Sequence, residues 1–306
     1  MSTERPPTID PVAAARWAGL AGPAPSGESP WLHEEVARRM EERLEWIVSK
    51  PKRWVHWEPL RGGLQAQALL AKRYPDSECF VVETHAEQAQ HARKKIAPSW
   101  WEKARWTGPS LTFGAPGRPV QMLWANMALH MAADPMALIA QWHRMIDVDG
   151  FLMFSCFGPD TLQELRRVYA TMGWLSPAHE FTDMHDWGDM LVRAGFAEPV
   201  MDMERITLSY SSPQSLLAEL RTLGRNLHKA RFQGLRGRGW RDRLHEGLTG
   251  ALAGKAQSGR LQLVFEVVYG HAFKASPKLS VRPETNVSLD EMRQSLRKVK
   301  KSEPNQ

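Results

Sequence analysis

Cysteine is scarce in this chain, and long apolar runs are absent from it. Its two cysteines, Cys79 and Cys156, both lie in apolar stretches that are typical of strands. Buried, reduced thiols are therefore favoured over a disulfide or a metal pair. No apolar run approaches the ~20 residues that span a bilayer. The N-terminus has no apolar core behind basic residues, as a signal peptide would, so a cytoplasmic protein with no membrane segment is expected.

Acidic residues are outnumbered by basic ones, which gives a formal net charge of +6. Much of the excess lies between Arg221 and Arg243, where the single acid is Asp242 and the basic residues are Arg221, Arg225, Lys229, Arg231, Arg236, Arg238, Arg241 and Arg243. A second basic run, 293–301, closes the chain. Such clusters attract a polyanion, although an unselected solvated surface is equally consistent with them. Because basic and aromatic residues do not alternate along a strand, no nucleic-acid-binding module is predicted.

Short apolar strands alternate with amphipathic helices along most of the chain. Apolar residues at three- and four-residue steps predict a helix over 31–50. The predicted strands read RWVHW, ECFVVE, LTF, VQMLWAN, VDGFLMFSCF, VMDMERITLSY and LQLVFEVVYGHAF. Short connections between helix and strand favour an α/β fold with a doubly wound, mostly parallel sheet. The almost wholly apolar strand FLMFSCF is expected to be central and buried on both faces.

The composition divides the chain into three parts. Residues 1–29 are rich in Pro, Ala, Gly and Ser, so a flexible segment is expected, with a short helix possible around Pro11 to Leu20. Residues 30–273 are expected to form one α/β domain. Residues 274–306 are polar and basic, and a flexible tail is expected there.

Five segments in the second part share a family pattern. They read NMALHMAADP, FGPDTLQELR, FTDMHDWGDMLVRAGFAEPVMDME, LRTLGRNL and FEVVYGHAF, and together they span nearly the whole predicted domain. In this order they resemble the class I methyltransferase family that contains the malonyl-acyl-carrier-protein O-methyltransferases of biotin synthesis and related mitochondrial complex I assembly factors. The resemblance implies a seven-stranded Rossmann-like sheet that binds S-adenosylmethionine. It also implies a lid-like insertion before the last strand, here the basic segment 220–258.

The turn after the first strand departs from that family. The family has an Asp, one apolar residue and then G-x-G-x-G, whose glycines let the backbone approach the methionine part of the cofactor. The corresponding residues here include Trp57, Pro59 and Arg61, and Pro59 both removes an N–H and fixes φ. Without a rebuilt turn, S-adenosylmethionine binding is expected to be weak or absent; in a rebuilt turn Arg61 could pair with the cofactor's carboxylate. The candidates for cofactor contact that remain in this turn are Glu58, Gly62 and Gly63.

Two further positions match the family's cofactor contacts. Glu83 ends the second predicted strand, and the resemblance assigns it the two ribose hydroxyls; a solvated carboxylate is the alternative. Asn126 ends the fourth predicted strand and is expected to face the cofactor, although Asn at a strand end is also common in turns. No acid occurs from Lys103 to His130, so the family's acidic contact to adenine is missing or made by backbone.

The reaction implied by the resemblance needs geometry more than acid–base chemistry. A carboxylate is ionised at neutral pH, so it can accept a methyl group without a general base. It still needs a cationic or hydrogen-bonding clamp. The candidates are Arg225, His179, His185, Tyr169 and Tyr210. Asp183, His185 and Asp186 lack a fourth metal ligand, so helix capping is favoured over a metal site and no metal is expected.

The resemblance also suggests a partner for the basic segment. Acyl carrier proteins are acidic, and the expected docking surface consists of Arg231, Arg236, Arg238 and Arg241. Three functions remain open. They are a carboxyl methyltransferase of the biotin pathway, a catalytically silent homologue that acts as a binding or regulatory protein, and a respiratory-complex assembly factor. The intact substrate-side segments favour the first function, whereas the altered turn favours the second.

Overall fold

A seven-stranded sheet runs through the computed structural model, which describes residues 9–20, 28–97, 110–252 and 259–276. Its strands are β1 (Arg53–Trp57), β2 (Glu78–Val82), β3 (Leu111–Phe113), β4 (Val120–Ala125), β5 (Ile146–Phe157), β6 (Phe196–Tyr210) and β7 (Leu261–Lys274). The order is β3-β2-β1-β4-β5-β7-β6, and β7 runs antiparallel to both of its neighbours. All predicted strands are present. The predicted doubly wound, mostly parallel sheet of a class I methyltransferase is therefore confirmed.

Helices cover both faces of this sheet. They are α1 (Pro11–Ala18), α2 (Trp31–Glu42), α3 (Pro59–Gly62), α4 (Ala66–Arg73), α5 (Ala86–Ile96), α6 (Pro135–Met145), α7 (Gln163–Thr171), α8 (Met184–Arg193), α9 (Pro213–Leu223) and α10 (Arg238–Leu252). One buried cluster joins the sheet to α2, α4, α7, α9 and α10, and another joins it to α6 and α8. Within the described ranges, no helix combines the length and the apolar character needed to cross a bilayer.

The predicted helix over 31–50 is shorter in the structure. α2 ends at Glu42, and a 3-10 turn, Arg43–Trp46, follows it. Pro51 stands just before β1, and the residue before a proline is pushed towards extended backbone. The chain therefore straightens before it enters the sheet.

Several local predictions are confirmed. The side chain of Ser212 caps α9, and Pro213 occupies the first position of that helix. Gly195 follows α8 with a φ of 99°, a left-handed conformation that glycine adopts without strain. Cys79 and Cys156 are both buried and unpaired. The strand FLMFSCF is buried along its whole length between β4 and β7, as expected of a central strand.

α1 confirms the short helix expected around Pro11 to Leu20, within a segment that was otherwise expected to be flexible. The carboxylate of Asp10 accepts a hydrogen bond from Val12 N at 2.9 Å and caps the helix. The same carboxylate forms an ion pair with Arg231 at 2.6 Å. Trp17 packs in a small buried cluster with Leu227. Residues 9–20 are thus fixed to the domain, whereas residues 1–8, 21–27 and 277–306 lie outside the described ranges.

Candidate functional site

Two cavities open over the carboxyl ends of the central strands, the edge at which doubly wound sheets bind ligands. The first, which we call the α1 cavity, has a volume of about 380 Å³ and lies against α1 and the turns after β1, β2 and β4. The second, the basic cavity, has a volume of about 800 Å³ and lies against α7, α9 and the basic segment. Met131 and Leu223 line both cavities. The two cavities therefore share a wall.

The turn after β1 is rebuilt as a short helix. Glu58 takes a left-handed φ of 45°, and Pro59 begins α3 at a position where its missing N–H is not needed. The backbone N–H of Gly63 closes the turn on Pro59 O at 2.9 Å. A Cβ on Gly62 would lie 2.6 Å from the carbonyl oxygen of Asn126, so glycine is required there. This turn replaces the family's glycine-rich loop without blocking the α1 cavity.

Asn126 holds this turn in place. Its amide nitrogen donates hydrogen bonds to the carbonyl oxygens of Gly62 and of His33, the latter at 2.8 Å. Its amide oxygen accepts a hydrogen bond from Ser155 Oγ at 2.5 Å. Both N–H donors and the oxygen of this side chain are therefore used within the protein. The side chain lines the α1 cavity, as expected for a residue that faces the cofactor, but its polar atoms serve the turn.

Arg61 directs its guanidinium towards α1. Its Nη2 donates hydrogen bonds to the carbonyl oxygens of Trp17, Ala18 and Leu20 at 2.7, 3.1 and 3.1 Å. The guanidinium carbon lies 4.6 Å from the centre of the Trp17 ring. Carbonyls at the end of a helix have no partner within the helix and attract a cation. The guanidinium of Arg61 therefore holds α1 against the turn through Nη2.

The side chain of Trp57 packs mainly against α6. Its side chain is 2% exposed and meets Trp142 of α6 edge to face, with 6.0 Å between ring centres. It also lines part of the α1 cavity. The α1 cavity is therefore present beside this indole.

Glu34 occupies the anion-binding position of the turn. Its carboxylate accepts hydrogen bonds from the backbone N–H groups of Leu64 and Gln65 at 2.8 and 3.1 Å. Such N–H groups ahead of a helix form a natural site for an anion. A ligand carboxylate would find them already paired. Nothing in the sequence marked Glu34 for this role.

Glu83 keeps one carboxylate oxygen free. Its Oε1 accepts a hydrogen bond from Leu60 N at 3.0 Å, whereas its Oε2 is buried without a partner. Burial raises the pKa of Glu83 to about 8, and the neighbouring carboxylate of Glu58 adds to this effect. The next two residues, Thr84 and His85, line the α1 cavity. A ligand with hydroxyl donors would satisfy the free oxygen.

Arginine and aromatic residues line the basic cavity. Arg225 donates to the carbonyl of Gly224 at 2.8 Å, and its guanidinium carbon lies 5.4 Å from the Trp17 ring centre. Arg236 lies over the rings of Phe232 and Trp240, at 4.2 and 4.4 Å. The cavity therefore combines positive charge with apolar walls.

The other predicted substrate-side residues separate into two groups. His179 and Tyr169 line the basic cavity, and burial lowers the pKa of His179 to about 4. His185 is exposed at the start of α8 and lines neither cavity, and Tyr210 also lies outside both.

Asp183, which precedes α8, caps that helix. Asp183 Oδ1 accepts a hydrogen bond from His185 N at 2.8 Å, as predicted. In the part of the chain that the structure describes, no group of three or more His, Cys, Asp or Glu residues could hold a metal ion.

His130 is a further buried residue at this edge of the sheet, and the sequence analysis did not identify it as a site residue. It is 4% exposed and lines the basic cavity, and within the described part of the chain neither ring nitrogen has a hydrogen-bond partner. It follows β4, at the sheet edge where ligands bind, and that position within NMALHM was the available indication in the sequence.

Comparison with known proteins gives close relatives of one kind. The chain is 36% identical to the malonyl-[acyl-carrier protein] O-methyltransferase of Gallionella capsiferriformans, over 81% of this chain and 86% of that protein. It is 36% identical to the same enzyme of Laribacter hongkongensis, over 81% and 84% of the two chains. It is 34% identical to that of Nitrosospira multiformis, over 83% and 86%. No family model matches the chain.

Solved structures support the fold. A putative methyltransferase from Bacillus halodurans superposes with a TM-score of 0.51 at 10% identity, over 79% of this chain and 100% of that one. The YcgJ protein from Bacillus subtilis superposes with a TM-score of 0.51 at 12% identity, over 79% and 99%. Identities this low concern the fold alone. On the strength of its curated relatives, the chain belongs to the malonyl-[acyl-carrier protein] O-methyltransferase family.

Proposed function

We propose that the protein transfers a methyl group from S-adenosylmethionine to the free carboxylate of a malonyl thioester on an acyl carrier protein. The names of its relatives state this substrate. The observation that carries the proposal is the wall shared by the two cavities at Met131 and Leu223. A direct displacement requires donor and acceptor to meet in a fixed geometry, which adjoining cavities can provide.

The α1 cavity suits the cofactor. Its volume of about 380 Å³ lies within the range of small-molecule sites. The free Oε2 of Glu83 would accept hydrogen bonds from the ribose hydroxyls, while Glu58, Gly62 and Gly63 form the neighbouring turn. Glu34 occupies the backbone N–H groups of the turn, whereas Arg61 holds α1 through Nη2 alone and its buried Nε has no partner among the described residues. We therefore assign the cofactor's carboxylate to the remaining N–H groups of Arg61. When bound, the cofactor would supply a methyl group activated by a sulfonium.

The basic cavity suits the acyl chain. Arg221 and Arg225 line it and would attract the ionised carboxylate, while Phe157, Phe181 and Leu223 supply apolar walls that exclude water. A carboxylate needs no general base, so the chain's contribution is to orient the oxygen towards the shared wall. His185, which lies outside the cavity, has no part in this proposal.

The carrier protein would dock beside the mouth of this cavity. Arg238 and Arg241 are exposed, and Arg236 is partly exposed over its aromatic neighbours. Arg231, which the sequence also suggested, is paired with Asp10 and contributes to holding α1 instead. An acidic partner would be steered by the exposed arginines, with an affinity that falls as salt rises.

A methylation assay tests the proposal. Purified protein is incubated with S-adenosylmethionine and malonyl-acyl carrier protein, and the carrier is analysed by mass spectrometry. We expect conversion to the methyl ester, and none with acetyl-acyl carrier protein, which lacks a carboxylate. Calorimetry with the cofactor and its demethylated product measures binding separately. Absence of cofactor binding at millimolar concentration would overturn the proposal and favour a catalytically silent homologue.

A further inference from the structure

His130 is a buried polar side chain whose hydrogen-bonding groups are unused. It lies in the 3-10 turn Leu129–Met131 that follows β4. It is 4% exposed, and neither Nδ1 nor Nε2 has a hydrogen-bond partner among the residues that the structure describes. An unpaired buried polar group destabilises a fold, so such a group calls for an explanation.

The surroundings of His130 keep the imidazole neutral. Its ring lies 4.6 Å from that of Phe157 and 5.8 Å from that of Phe181, measured between centres. Burial lowers its pKa well below the usual value, and nearby His33 and His179 lower it further. His179 Nε2 donates a hydrogen bond to the backbone carbonyl oxygen of His130, 2.9 Å away, and not to the His130 ring.

The position of His130 is next to the shared wall. His130 lines the basic cavity, and the following residue, Met131, lines both cavities. A group bound through the His130 ring would therefore lie in the basic cavity close to the α1 cavity. That is where the methyl acceptor has to be.

We infer that His130 donates a hydrogen bond to the carboxylate of the acyl chain and selects chains that end in one, an inference that rests on the proposed function. A neutral donor suits a nucleophile better than a cation does. The attacking carboxylate loses its negative charge as the ester forms, so a full positive charge beside it would stabilise the starting state more than the transition state. The arginines of the basic cavity would attract the chain, and His130 would orient its end.

Two substitutions at this position separate hydrogen bonding from packing. His130→Phe fits the aromatic surroundings but has no donor, whereas His130→Gln keeps an N–H donor. We expect His130→Phe to lower kcat/KM for malonyl-acyl carrier protein roughly 10- to 100-fold, the range of a hydrogen bond to a charged group. We expect His130→Gln to retain most of the activity. The melting temperature of His130→Phe should be equal to or higher than that of the wild type, because an unpaired polar group is removed.

Binding provides a second readout. With the demethylated cofactor present, calorimetry compares malonyl- and acetyl-acyl carrier protein, and His130→Phe should lose the preference for the malonyl form. His143→Phe is the matched control. This partly buried histidine also packs against a phenylalanine, Phe196, but lines neither cavity, so its substitution should change neither kinetics nor preference.

The outcomes distinguish this inference from the proposed function. A wild-type protein that neither methylates nor prefers the malonyl carrier defeats the proposed function itself. An active wild type with an equally active His130→Phe variant overturns the inference alone. So does a His130→Phe variant with a lower melting temperature and unchanged kinetics, since the imidazole then serves the fold. A His130→Gln variant as inactive as His130→Phe, with both stably folded, also overturns it.

Discussion

Burial of Glu83 is expected to make the stability of the fold depend on pH. Its pKa rises from 4.5 to about 8 in the folded chain, so between these values the folded chain binds more protons than the unfolded chain. The contribution of Glu83 to stability is complete below the unfolded pKa and is lost as pH rises through about 8. We expect Glu83→Gln to reduce the fall in melting temperature between about pH 5 and pH 8.

The control for this prediction is Glu87→Gln on α5. Glu87 is exposed, and its substitution should leave the pH profile unchanged. His33 and His56 are buried, and burial lowers their pKa values to about 4. Their effect on the pH dependence is opposite to that of Glu83, because they contribute stability above their unfolded pKa and lose it as the pH falls. Their contributions cancel when the variant is compared with the wild type. A difference in melting temperature that stays constant across this pH range would contradict the prediction.

Individual site residues could be predicted in type but not in orientation. Glu83 follows β2 and was assigned a role from its position, because the ends of parallel strands meet at one edge. The directions of Arg61 and Trp57 could not be predicted, because they depend on α1 and α6, which are distant in sequence. The role of Glu34 depends on the turn being rebuilt, which the sequence pattern does not describe.

At the scale of elements, two side chains hold the end of α1: Arg61 of the turn after β1, and Gln88 of α5, which donates to the carbonyls of Ala18 and Leu20 at 2.7 Å each. Arg61 supplies hydrogen bonds to three carbonyls at the end of α1. We expect Arg61→Met to release this end, with hydrogen exchange of the α1 amides faster by roughly tenfold, as the loss of about one net hydrogen bond implies. Hydrogen-exchange mass spectrometry measures this effect.

Arg16→Met is the comparison for that experiment. Arg16 lies in the last turn of the same helix but is exposed, so its replacement should leave exchange nearly unchanged. Equal exchange in wild type and Arg61→Met would show that the hydrogen bonds of Gln88 and the hydrophobic contacts of Trp17 suffice to hold α1.

The central strands could be predicted because they are rich in apolar residues, as buried strands are. β1 is buried throughout and β5 is buried from Gly150 onwards, and each was predicted within a few residues of its observed bounds. The helix after Trp31 was predicted too long, since the apolar periodicity continues through Leu44 and Ile47, where the chain forms a 3-10 turn and then an extended residue. The docking of α1 was not predictable, because it depends on pairing between Asp10 and Arg231 across almost the whole sequence.

At the scale of the whole molecule, the exposed arginines predict salt-dependent binding of an acidic carrier. Reversal of charge in the double variant Arg238→Glu, Arg241→Glu should weaken binding of acyl carrier protein at least roughly tenfold at low salt and reduce its salt dependence. Arg236 is left intact, because it packs on Trp240 in the cavity wall. Calorimetry over a series of salt concentrations measures both effects.

A double reversal elsewhere controls for net charge. Lys94 and Lys95 are exposed on α5, outside both cavities, so Lys94→Glu, Lys95→Glu changes the net charge equally. Carrier binding should be affected much less by this change. Equal losses in the two double variants would attribute the effect to net charge and would refute a local docking surface.

The indole of Trp17 lies between two guanidinium groups, that of Arg61 from the turn after β1 and that of Arg225 from the segment after α9. One short helix therefore touches both the part of the chain assigned to the methyl donor and the part assigned to the acceptor. Any displacement of α1 alters access on both sides at once. Under the proposed function, we therefore expect binding of the methyl donor and of the acceptor to be coupled through Trp17.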